Sequence, residues 1–148
     1  MTVLNLTTFD QIRGVLTVSP ADLPDSVLAS YGLEDDLGAD LDAWAAGWSS
    51  VVDAGQSRLL RLYAKYFCAG SVARTAQVFV LTKASDGSNE GQRSDADGFL
   101  WLSETLLAKA AGFKDQFLEA AGAAASSQRM TFASRVTPAR DPITEARS

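Results

Sequence analysis

Apolar residues recur along this chain at helical spacing. Phe9, Ile12, Val15 and Leu16 share one face at a period of 3.6. Thr8 precedes them, with Gln11 three residues on as the reciprocal partner of a capping box, so a helix should open there. Gly14 weakens that helix and keeps it short. The segment Ser19-Pro-Ala-Asp-Leu-Pro-Asp25 gives a helix-start signal twice, because proline suits the first helical position, where its missing N–H is not needed. A short second helix is expected from about Pro24 to Tyr31, with Gly32 as its left-handed stop. Leu33, Leu37, Leu41, Trp44, Trp48 and Val51 continue at spacings of three and four, with Val52 beside them. That stripe predicts one helical stretch over residues 33–54 with both tryptophans in the core.

Two longer stripes follow. Gly55 separates the acidic stretch from a helix expected over about Ser57 to Thr82, near 40 Å long at about 1.5 Å per residue. Its seam is Leu59, Tyr63, Tyr66, Gly70, Ala73, Gln77 and Val80, widened by Leu60, Leu62, Phe67, Val78 and Phe79. The small residues from Cys68 to Ala73 leave room for a second helix to approach closely. Residues 84–98 carry only small or polar side chains and read as an exposed connection, with Ser94-x-x-Asp97 as the capping box that opens the next helix. Phe99, Leu102, Leu106, Ala110, Phe113, Phe117 and Ala121 carry that helix to Gly122, which can end it. From Ala123 the pattern fails: Ala123 to Arg129 can continue the helix weakly, and Met130 to Ser148, with Pro138 and Pro142, reads as an extended arm. Phe132, Val136 and Ile143 are too apolar for an idle tail and should dock on something. The expected fold is therefore all-α: a small helical bundle built on a long antiparallel helix pair, with short N-terminal helices and an extended C-terminal arm. The bundle domain is 1–122 and the arm 123–148.

Length and composition fit that picture. A chain of 148 residues, 47% hydrophobic and 21% charged, suits one globular domain. The net charge of −5 disfavours a general nucleic-acid binder. Histidine is absent, which removes the commonest general base and the commonest metal ligand. Cys68 is the single cysteine, so neither an intramolecular disulfide nor a zinc cluster can form. No run approaches the roughly 20 apolar residues that span a bilayer, and the start lacks a basic, apolar signal pattern, so no membrane partner and a cytoplasmic location are expected. Charge is polarised. Residues 1–55 hold nine acids and one base, while residues 129–148 hold four bases and two acids.

Candidate chemistry is sparse. Cys68 lies mid-helix with no histidine to activate it and reads as structural. Glu34, Asp35, Asp36, Asp40 and Asp42 have the composition of a paired-carboxylate or cation site, and an enzyme would have to use Asp35, Asp36 or Asp40. A solvated helix face with an acidic first turn is the simpler reading. Asp86-x-Ser88-x-Glu90 echoes a calcium loop without its central Gly and terminal Glu. Arg58, Arg61, Lys65 and Arg74 make a basic stripe next to the acidic segment and suit salt bridging more than nucleic acid. No catalytic residue, cofactor or metal is expected.

The layout carries one resemblance. A short N-terminal helix is followed by Val18-Ser-Pro-Ala-Asp-Leu-Pro-Asp-Ser-Val-Leu28, an acidic helix, and Leu60-Arg-Leu-Tyr-Ala-Lys-Tyr-Phe67 opening a long helix. A polar loop, a second long helix and a tail complete it. Over about residues 8–121 this resembles the small head–tail connector (adaptor) proteins of tailed bacteriophages. The resemblance implies a structural virion protein without enzymatic activity. It would act at the head–tail interface after assembly in the host cytoplasm. Identical subunits would form a ring, a dodecamer in the common case, between the portal protein and a tail or stopper protein. The ring would continue the channel through which DNA passes without sequence-specific binding. On that basis Phe132, Arg135, Val136, Arg140 and Ile143 become candidates for contact with the portal or a neighbouring subunit. Asp35, Asp36, Asp40, Arg58 and Arg61 become candidate subunit contacts, since acidic and basic surfaces are complementary in a head-to-tail ring. Another reading is a small cytoplasmic helical interaction or regulatory module.

Overall fold

The computed structural model describes residues 5–83 and 89–133, and the side chains within 5–75 and 98–125. Every regular element among the described residues is helical. In chain order they are α1 (Phe9–Leu16), α2 (Asp25–Ser30), α3 (Leu33–Trp44), a 3-10 turn (Trp48–Ser50), α4 (Ala54–Lys83) and α5 (Asn89–Ala133). Among the described residues, no helix is long and apolar enough to cross a membrane.

The N-terminal signals act as read. Thr8 accepts from the Gln11 backbone N–H, and the Gln11 side chain accepts from the Thr8 N–H, closing the capping box of α1. Gly32 is left-handed at φ +65°, so it ends α2 and caps α3 in one residue. Pro24 stands one place earlier than expected, as the cap before Asp25.

The expected single stretch over 33–54 is broken. α3 stops at Trp44, and Gly47 turns the chain at φ +80°, a conformation that costs glycine little and other residues more. The turn folds Trp48 inward, where its indole N–H donates to Asp42 at 2.8 Å. Residues 51–53 then run without regular structure, which throws Val52 out of the stripe to 97% exposure. α4 begins at Ala54 instead of Ser57. Asp53 accepts from the Gln56 N–H, and Gly55, expected as a separator, lies inside the first turn.

α5 is longer than its stripe at both ends. It starts at Asn89, so most of the expected 84–98 connection is helical, and residues 84–88 lie outside the described residues. It passes Gly122 and ends at Ala133, so residues 123–133 of the expected arm are helix and Phe132 stands on its last turn. Arg135, Val136, Arg140 and Ile143 lie outside the described residues.

The core sits where α1, α3 and α5 meet α4. It holds Ile12, Leu28, Leu37, Leu41, Leu60 and Val72, each almost fully buried. The small stretch of α4 does what its composition promised. A Cβ at Gly70 would stand 2.8 Å from Leu107 Cγ, and Ser103 Oγ donates to the Gly70 carbonyl at 2.8 Å. One turn earlier on α4, Tyr66 stacks on Phe113 at 5.7 Å. Gly70 thus meets Ser103 and Leu107, while Tyr66, four residues before it, meets Phe113, further along α5.

Candidate functional site

The acids of α3 divide by direction. Glu34, Asp35, Asp36 and Asp42 are exposed, while Asp40 is half-buried. Asp40 Oδ2 accepts from Trp44 Nε1 at 2.8 Å and from the Tyr63 hydroxyl of α4. Trp44 meets Tyr63 edge-on at 4.8 Å and Phe117 of α5 at 5.7 Å, so three helices converge on this indole. Lys114 covers the Trp44 ring at 5.2 Å. Burial, and then the hydrogen bond to Asp40 and its charge, push the Tyr63 phenol well above its ordinary range. Asp40 therefore ties α3 to α4; it is an occupied acceptor and not a free base.

The bases lie elsewhere. Arg58 and Arg61 are exposed on α4. Among the described residues the ion pairs belong to Arg13, which is 5% exposed and contacts Asp10 and Asp25 while donating from Nε to the Leu23 carbonyl. Glu34, Asp35 and Asp36 thus make no ion pair with Arg58 or Arg61 within the chain. Arg74 of α4, by contrast, lines a shallow pocket together with Asp36 of α3.

Cys68 is buried, and burial together with the charge of Asp36 pushes its thiol from 9.0 up to about 12. A thiol held neutral in this way is a poor nucleophile and a poor metal ligand. Among the described residues no group of three or more Cys, Asp or Glu side chains is placed to hold a metal ion.

Sequence reasoning missed three side chains that matter here. Arg13 breaks the apolar pattern of α1, and its signal was the pair of acids at Asp10 and Asp25. Ser103 interrupts the α5 stripe as a polar residue, yet it is fully buried. Trp101 lies off that stripe and is 66% exposed, with Leu100 beside it at 40%; two large apolar residues out of phase with the seam were the available sign.

No protein-family model matches the chain, and no curated protein or solved structure is similar to it.

Proposed function

We propose that this protein is a structural assembly protein, a head–tail adaptor. Its copies join as a ring between portal and tail and continue the DNA channel. In this reading α4 and α5 are the antiparallel spine of a small helical bundle. One observation carries the proposal: Asp35 and Asp36 on α3 and Arg58 and Arg61 on α4 are exposed, of opposite sign, and unpaired with each other inside the chain. A head-to-tail contact between identical copies brings such surfaces together, orienting the subunits and speeding their encounter. Asp40, turned inward, supports α3 instead of the contact. The portal-facing role falls to residues after α5, among them Arg135, Val136, Arg140 and Ile143, together with Phe132.

The test is direct. Purified virions, resolved by mass spectrometry and negative-stain microscopy, should contain the protein as a ring at the head–tail junction. A chain lacking residues 134–148 should fold and fail to join particles. Absence from particles, with recovery on a cytoplasmic partner, would refute the adaptor reading and favour the interaction module. Loss of folding in the truncated chain would refute the arm.

A further inference from the structure

Two features on different sides of the molecule fit each other. The first is Trp101. It stands nine residues before the buried Ala110, two and a half turns at 3.6 residues per turn, so its indole points directly away from the face that α5 packs on α4. The second is a half-open pocket of about 260 Å³. Phe9, Ile12, Leu28, Leu33 and Leu37 form its apolar walls, and Cys68 of α4 closes it.

We propose that this pocket receives Trp101 from a second copy of the chain. The inference rests on the self-assembly reading above and names its contact. Size supports it: a cavity of about 150 Å³ accepts benzene, and this one is large enough for a bicyclic ring. Chemistry supports it too. Thr7 lines the pocket, and its hydroxyl is buried without a hydrogen-bond partner among the described residues. An indole brings one N–H donor and no acceptor, and rotation of the Thr7 side chain presents the oxygen that would accept it.

The contact is heterologous, since knob and pocket are different surfaces. Each added copy offers a free knob and a free pocket, and the chain of copies closes into a ring when the rotation allows. Two single variants then make a sharp test. Trp101→Ala removes the knob and keeps the pocket. Ala29→Trp, at an exposed position in the pocket lining, blocks the pocket and keeps the knob. Sedimentation of the full chain from micromolar to sub-millimolar concentration should show self-association of the wild type. Each variant should lose at least about tenfold in association constant while keeping its helical circular dichroism. A mixture of the two variants should form a one-to-one heterodimer and grow no further. The emission of Trp101, taken as the difference between wild type and Trp101→Ala, should shift to the blue on association. Undiminished assembly of Trp101→Ala, a mixture that stays monomeric, or a wild type monomeric throughout would overturn the knob and pocket. A ring on virions would survive each of those results, so the two readings fail separately.

Discussion

Replacing Gly70 by alanine measures how closely α4 and α5 approach. In an open helix interior this change stabilises by about 1 kcal/mol, because alanine loses less backbone freedom on folding. Gly112 of α5 is such a site, helical and exposed, with nothing within 4 Å of the added Cβ. At Gly70 the same methyl would stand 2.8 Å from Leu107 Cγ, 3.0 Å from Cδ2 and 3.3 Å from the Leu107 backbone nitrogen. Rotation about χ1 can swing the leucine branch aside, but the backbone nitrogen cannot move unless the helices part. Overpacking of this kind costs about 1–3 kcal/mol. Parting the helices also stretches the buried Ser103–Gly70 hydrogen bond, worth about 1 kcal/mol. After subtracting the helical gain, Gly70→Ala should destabilise by about 1–3 kcal/mol while Gly112→Ala stabilises by about 0.5–1 kcal/mol. Thermal unfolding of the two variants should therefore bracket the wild type, with Tm values about 4–8 °C apart. Adding Leu107→Ala to Gly70→Ala should recover part of the loss, giving a coupling of about 1 kcal/mol. If Gly70→Ala raises Tm as Gly112→Ala does, the helices do not meet at this residue, and the register built on Ser103 is wrong.

Other consequences are narrower. Cys68 holds its proton in the fold up to about pH 12 but not in the unfolded chain, where its value is 9.0, so its contribution is complete below pH 9 and drains as pH rises toward 12. Between about pH 8 and 11 the wild type should lose on the order of 2 kcal/mol more than Cys68→Ala in urea unfolding; parallel losses would show that the thiol is not held neutral. Asp40→Ala strands the Trp44 and Tyr63 donors and should cost about 2 kcal/mol, with Asp40→Asn milder because it keeps an acceptor. Ultraviolet titration should find the Tyr63 phenol ionising at lower pH in both variants; an unchanged titration would break the link to Asp40. Arg13→Lys cannot reproduce the fork that reaches Leu23, Asp10 and Asp25, and a loss of about 1–2 kcal/mol by denaturant unfolding is expected. Leu106→Ala, at a site 7% exposed, should cost about 2–5 kcal/mol by the same assay, and a negligible loss would place it outside the core.

What the residues revealed in advance follows from the range of the forces involved. Capping is local, so Thr8 with Gln11 and the left-handed Gly32 were legible one turn at a time. Burial stripes average over many residues, so Leu41, Leu60, Leu106 and Phe117 could be placed inside without knowing their neighbours. Arg13 and Ser103 could not, because each is buried by a partner distant in sequence: the Leu23 carbonyl for one, the Gly70 carbonyl for the other. Helix ends failed for a different reason. Gly47 and Gly122 look alike as symbols, yet only Gly47 takes a positive φ and turns the chain. Gly47 is followed by Trp48, which gains burial and the Asp42 acceptor when the helix breaks. Gly122 sits between Ala120-Ala121 and Ala123-Ala124-Ala125, exposed, with nothing to gain from a turn. Five alanines outweigh about 1 kcal/mol lost at one glycine, so α5 runs on. A glycine ends a helix when breaking it buries something, and that condition belongs to the fold around the residue. The same condition explains Trp101. A stripe reading assigns large apolar side chains to the chain's own core, and one that falls out of phase has no place there.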